Sequence, residues 1–116
     1  MKEWKEEKAN KSTTGSLRYN EGKPQISLLD PKFMLGMASV MTQGMKKYGR
    51  GNWIKGNNIS VPYDSCQRHL NYFWMGEDID KESLESHLFH AAVNIMMMYN
   101  YLQNHPEMDD RDFKDE

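Results

Sequence analysis

The chain has 116 residues, enough for one modest hydrophobic core. Hydrophobic residues make up 38% and charged residues 28%, and the formal net charge of −2 argues against a nucleic-acid binder that works through bulk positive charge. The single Cys66 excludes an internal disulfide and fits a reducing cytoplasm. No apolar run approaches the ~18 residues of a membrane span, and the opening MKEWKEEKANK lacks the apolar segment of a signal peptide.

Residues 1–14 are charged, then small and polar, and read as a mobile N-terminal arm. Residues 15–30, punctuated by Gly15, Gly22 and Pro24, read as loop, with Ile26, Leu28 and Leu29 expected to anchor it to the core. Asp30-Pro31 opens a helix, because an aspartate can cap free amides and a proline fits the first helical position. Phe33, Met34, Met37, Val40, Met41 and Met45 recur at helical spacing to an expected end near Gly49. Residues 49–62 hold three glycines and three asparagines, and read as one long loop of the kind that carries function.

Asp64, with Gln67 three residues on, is the expected cap of a second helix whose apolar face is Cys66, Leu70, Phe73 and Trp74 and whose stop is Gly76. Cys66 reads as a small core residue. Asp80 is the expected cap of a third helix, with Leu84, Leu88, Ala91, Ala92, Ile95, Met98, Tyr99 and Leu102 along one side. That helix fades at Asn104-His105-Pro106, and the acidic segment 106–116 reads as a disordered tail. No period-2 strand pattern is present. The expected fold is therefore all-α: a compact bundle of three main helices over residues 15–105, with a long Gly/Asn-rich loop and mobile termini. Ten methionines suggest adaptable core and interface surface, and a chain this small and Met-rich is expected to form a homodimer or larger homo-oligomer.

The stretch Gly76–Asn94, GEDIDKESLESHLFHAAVN, gathers carboxylates, two histidines and an asparagine. At about 100° per residue, Ser83, His87, His90, Asn94 and Tyr101 fall on one flank of the stripe centred on Leu84, Leu88 and Ile95. His87, His90 and Asn94, at i, i+3 and i+7, can then aim at one bound group, since imidazole nitrogen and amide oxygen ligate metals and hydrogen-bond ligands. A histidine at a core edge is also commonly a satisfied structural residue. Glu77, Asp80 and Glu82 are candidate ligands for a hard cation such as Mg²⁺ or Mn²⁺, although Asp80 also reads as a plain cap. Glu82, His87 and His90 are the candidate catalytic residues.

Arg68 and His69 on the second helix can reach the same cleft if helices two and three pack antiparallel; the plain alternative for Arg68 is a surface ion pair. Lys47, Tyr48, Asn52, Trp53 and Lys55 look like a ligand-facing loop, with lysines for phosphate and aromatic faces on which a base can stack. Trp53 can equally serve to pin the loop. Arg18 and Lys23 form a second basic element. Neither GxxxxGK[ST] nor GxGxxG nor CxxC occurs.

The ordered set Arg18…Gly22-Lys23-Pro24…Leu28-Leu29, Gly44-x-x-Lys47-Tyr48-Gly49-x-x-Asn52-Trp53, Arg68-His69-Leu70 and Gly76-Glu77-x-x-Asp80-x-Glu82-Ser83-x-x-x-His87-Leu88-x-His90-Ala91-x-x-Asn94 resembles the phage dATP/dGTP diphosphohydrolase N-terminal domain family. The resemblance covers roughly residues 15–103. It implies a protein of phage nucleotide metabolism in a bacterial cytoplasm, acting on purine deoxynucleotides. It also implies a relation to the all-α MazG-type enzymes, which cleave nucleoside triphosphates to monophosphate and pyrophosphate with Mg²⁺ held by ExxE and ExxD helices. Glu82-Ser83-Leu84-Glu85 reads ExxE, but His87-Leu88-Phe89-His90 stands where the ExxD is expected, and position 84 holds Leu where the resemblance expects Gly. Three readings follow: metal-dependent hydrolysis of purine nucleoside triphosphates, nucleotide binding without turnover (to sequester or sense a nucleotide), or a small helical interaction module.

Overall fold

A computed structural model describes residues 15–115; the arm expected over 1–14 lies outside the described residues, as does residue 116. The chain divides into two compact units, Met1–Asp30 and Pro31–Glu116. In the described part of the first, a turn around Gly22 closes with a hydrogen bond from the Lys23 N–H to the Asn20 carbonyl (3.3 Å), and a short 3-10 helix covers Ile26–Leu28. Ile26, Leu28 and Leu29 are all more than half exposed.

The second unit is built from α1 (Pro31–Tyr48), α2 (Ser60–Trp74) and α3 (His87–Asn104), with 3-10 turns at Trp53–Lys55 and Pro106–Met108. The fold is all-α with three main helices, as the periodicity predicts; the described residues contain no strand, and an isolated antiparallel bridge joins Ile79 and Ser86. No described helix is long and apolar enough to cross a membrane.

Both α1 boundaries match the expectation. Lys46 and Lys47 complement the carbonyl end of its dipole, and Gly49, at φ +88°, ends it by donating its N–H to Met45 (2.8 Å). α1 meets α3 at Gly36, where a Cβ would run into the Phe89 ring; Phe33 packs edge-on against that ring, centroids 5.3 Å apart.

α2 starts at Ser60, four residues before the expected Asp64 cap, and Asp64 lies exposed inside the helix. The helix can begin early because Pro62 is tolerated in the first turn, where amide donors have no helical partner. The missing cap arrives from fifty positions away. Asp110 accepts from the Ser60 N–H (2.9 Å) and the Ser60 hydroxyl (2.6 Å), while the Ile59 N–H bonds the Met108 carbonyl (3.0 Å). The segment expected to be a disordered tail thus makes defined contacts at least through Asp110. Asp109 follows the same pattern locally, paired with Arg111 at 2.7 Å and Lys114 at 3.1 Å.

α3 starts at His87, with Ser86 as cap through a hydroxyl that accepts the Leu88 N–H (3.1 Å). Asp80, the expected cap, holds a different structure. Residues 78–87 fold back on themselves: the Asp80 N–H bonds the Glu85 carbonyl (2.8 Å), the His87 N–H bonds the Asp78 carbonyl (3.0 Å), and Leu84 turns the chain at φ +62°. The core stripe is also displaced from the expected one. Ala91, Val93 and Tyr101 are buried, whereas Leu84 is 76% and Ile95 55% exposed. The cause is visible in α3 itself, which contains no Asp, Glu, Lys or Arg and therefore no strongly polar face to fix its rotation. Burial of Val93 and Tyr101 stabilises the packing by about 1.5–3 kcal/mol each. Cys66 is buried as expected, and burial pushes its thiol pKa up.

Candidate functional site

Within the unit Pro31–Glu116, the three helices and the loops after α1 and α2 leave an open cleft of about 1170 Å³. Its lining includes Lys47, Tyr48, Arg50, Asn52 and Trp53 from the end of α1 and the loop after it, and a polar wall of His69, Asp80, Ser83, His90 and Asn94; apolar side chains such as Val40 and Met97 line part of the remainder. A mostly apolar trough with a few converging polar groups is the usual form of a small-molecule site.

The polar wall is held from α1. Ser39 bonds the Glu85 carboxylate, Gln43 donates to the Ser83 carbonyl and to Glu85 (both 3.1 Å), and Lys47 pairs with Glu82 at 3.4 Å. Ser39, Gln43 and Lys47 lie at i, i+4 and i+8, so one face of α1 grips the whole 82–85 turn. Sequence reasoning missed Ser39 and Gln43; a polar row crossing an otherwise apolar helix was the available signal.

Behind this wall sits a chain of histidines. His87 is completely buried; its Nε2 lies 2.7 Å from Glu77 Oε2 and its Nδ1 lies 2.8 Å from His69 Nδ1. Tyr72, also missed, stacks on His87 at 5.4 Å. His69 stacks face to face on His90, with centroids 4.3 Å apart and planes 6° from parallel. His90 Nε2 is 2.6 Å from the Ser83 hydroxyl and 3.9 Å from Asp80 Oδ2, and Asp80 Oδ2 accepts the Ser83 N–H at 2.8 Å. Ligand atoms of His69, Asp80 and His87 all lie within 4.8 Å of one another.

The charges follow from this packing. Burial, then the neighbouring His90 and His87, push His69 down to about 4, so the ring is neutral at pH 7 and has a lone pair to offer. Burial likewise lowers His90, against the opposing pull of Asp80. Burial would raise Asp80, but the Ser83 N–H and hydroxyl and the adjacent histidines outweigh it and keep the carboxyl ionised. Glu77 is held low first by its hydrogen bond with His87 and then by Lys81.

Against the sequence expectations, Lys47, Tyr48, Asn52, Trp53, His69, Asp80, Glu82, His90 and Asn94 all line the cleft. The candidates Lys55 and Arg68 are exposed and lie outside its lining, because Lys55 closes a 3-10 turn and Arg68 sits on an outward face of α2. Arg18 and Lys23 belong to the other unit and are exposed there. The three carboxylates do not gather. Glu82 is 82% exposed and turned to Lys47, Glu77 backs His87, and Asp80 alone joins the histidines. His87 and His90 do not act side by side: His87 is buried behind the wall and His90 lies in it. Trp53 does pin its loop, its carbonyl accepting the Tyr101 hydroxyl at 2.7 Å, while still lining the cleft. Asn94 spends its amide hydrogens on the Ser65 hydroxyl (3.0 Å) and the His90 carbonyl (2.9 Å), which leaves its oxygen to accept from a ligand.

Comparison with known proteins adds a family. A family model described as dATP/dGTP diphosphohydrolase, N-terminal, matches residues 13–111. Over 95 residues the chain is 37% identical to a protein of Salmonella phage PMBT28 named dATP/dGTP diphosphohydrolase; the aligned stretch is 82% of this chain and 32% of that relative, so the chain spans about a third of the relative's length. No solved structure matches.

Proposed function

Since the chain belongs to the dATP/dGTP diphosphohydrolase N-terminal family, we propose that its cleft binds a purine deoxynucleoside triphosphate and promotes hydrolysis to monophosphate and pyrophosphate beside a divalent metal. The observation that carries this reading is what one cleft gathers: cations and aromatic rings together with imidazoles and a carboxylate. Lys47 and Arg50 attract the phosphates, Tyr48 and Trp53 offer flat faces to the base, and the Asn94 oxygen accepts from a base N–H. Of the candidate ligands, His69, His87 and Asp80 fit a metal best, since they offer converging donors from three different parts of the chain. A bound divalent ion supplies positive charge against the phosphates and acidifies water. His90, hydrogen-bonded to the Ser83 hydroxyl and lining the cleft, would be the residue to hold or take a proton there.

A second reading is favoured by the scattering of the acids, with Glu82 spent on Lys47 at the surface: the domain binds the nucleotide and leaves it intact. Incubation of the full chain with a panel of deoxynucleotides and Mn²⁺ or Mg²⁺, followed by chromatography, decides. Monophosphate and pyrophosphate support hydrolysis. Depletion of free nucleotide, with intact nucleotide recovered on denaturation, supports binding alone. Neither outcome defeats both and leaves an interaction module.

A further inference from the structure

We propose that His69, His87 and Asp80 form a site for a divalent transition ion of the imidazole-seeking kind, such as Mn²⁺, Fe²⁺, Co²⁺ or Zn²⁺, and not a Mg²⁺ site. The inference deepens the reading of a metal beside the cleft. It rests on the donor set and on how each donor is oriented.

The first donor is His87. Its Nε2 faces the Glu77 carboxylate at 2.7 Å, and an ionised carboxylate has no proton to give, so Nε2 carries the hydrogen. The Nδ1 lone pair is then left facing His69 and Asp80. A carboxylate behind a histidine, fixing its tautomer and turning the other nitrogen toward the ion, is the recurring outer layer of protein metal sites. Glu77 is thus a positioning residue. His87 is fully buried, so its ring has no freedom to turn the lone pair elsewhere.

The second donor, His69, is clamped by its stack on His90, 4.3 Å away and nearly parallel. Its Nδ1 lies 2.8 Å from that of His87. With metal–nitrogen bonds of about 2.1 Å, two nitrogens at that separation subtend roughly 85°, close to a right-angled pair of ligands. The third donor, Asp80, is held by the Ser83 N–H at 2.8 Å and brings the negative charge.

Two imidazoles and one carboxylate suit a transition ion, whereas Mg²⁺ prefers an all-oxygen shell. The carboxylates that would build such a shell point elsewhere, Glu82 to Lys47 and Glu77 to His87. The rival account is a hydrogen-bonded histidine pair that binds nothing, with His69 Nδ1–H donating to His87.

The test is metal binding by the chelator-treated full chain without nucleotide, so that its outcome does not depend on turnover. Co²⁺ is titrated by visible absorption and Mn²⁺ by loss of its free-ion paramagnetic resonance signal. The expected result is one ion per chain, undisturbed by excess Mg²⁺. His69→Gln and Asp80→Asn should each lower affinity at least about tenfold, and Glu77→Gln about ten- to hundredfold. Circular dichroism of the metal-free variants shows that they are folded, and Glu77→Gln should also shift the Co²⁺ absorption bands, which a purely structural role would not do. His87→Ala is unsuited because burial makes it a folding variant. No Co²⁺ or Mn²⁺ binding, equal competition by Mg²⁺, or unchanged affinity in folded His69→Gln and Glu77→Gln would each overturn the proposal. Metal binding without any effect on nucleotides would sink the functional reading and leave this one standing.

Discussion

The two ends of α3 both rely on histidine, and they use it in opposite ways. Just past the C-terminal end, His105 Nε2 bonds the Ile54 backbone carbonyl at 2.7 Å, beside the Tyr101 hydroxyl that holds the Trp53 carbonyl. The short bonds there go to backbone carbonyls, with the exposed Glu107 carboxylate 3.6 Å from His105 Nδ1, so the imidazole is a strut for the 49–59 loop. At the N-terminal end, His87 and His69 face each other and two carboxylates, and no backbone group bonds their ring nitrogens among the described contacts. A histidine bonded to main chain completes a fold; histidines bonded to one another and to acids concentrate donor atoms where an ion can take them.

Substitutions should separate the two ends. The largest effect is expected for His87→Ala, which empties a fully buried site and removes the imidazole bonded to Glu77; a loss of about 3–4 kcal/mol in a denaturant melt is predicted. His105→Ala should cost less, about 1–2 kcal/mol for one hydrogen bond and its packing against Gly56, and should leave Co²⁺ binding as in the parent chain. Loss of metal binding in folded His105→Ala would break the distinction.

Acid should loosen the C-terminal end. Ser60 lowers Asp110, first through its hydroxyl and then its N–H, and Arg111 lowers Asp109 well below the usual carboxylate range. Folded carboxylates with depressed pKa values contribute stability that is present above their ordinary pKa near 4 and is lost as pH falls below it. Thermal melts should therefore drop on acidification below about pH 4, and Asp110→Asn should flatten part of that dependence. The smallest effect is expected at Leu84, whose φ of +62° suits glycine. Leu84→Gly should relieve the left-handed backbone and stabilise the chain by a few tenths to about 1 kcal/mol, after allowing for the greater freedom of glycine when unfolded.

The comparison also shows what a sequence can and cannot carry. Local chemistry was legible: Asp-Pro to Tyr-Gly bounded α1, and Lys47, Tyr48, Asn52 and Trp53, expected to share a cleft, do line it. The helical spacing of His90 and Asn94 likewise brought both to one wall. What failed depended on distant or non-periodic contacts. The α2 cap comes from Asp110, fifty residues on, which no local window contains. The start of α3 was misplaced because Asp80 makes an equally good cap for a turn, and only the fold-back at Leu84 decides between them. The rotation of α3 was undetermined because its composition is apolar almost all round, so Ile95 was placed inward and His87 at the edge when the reverse holds. His69 was expected at the cleft, which it lines, but its pairing with His87, 2.8 Å away, joins two helices and could not be read from one histidine beside an apolar stripe.

The most direct measurement is X-ray absorption at the metal edge of the Co²⁺- or Mn²⁺-loaded chain. Two imidazole nitrogens in the coordination shell, with one of them lost in His69→Gln, are predicted. An all-oxygen shell, or a nitrogen count unchanged by that substitution, would contradict the assignment.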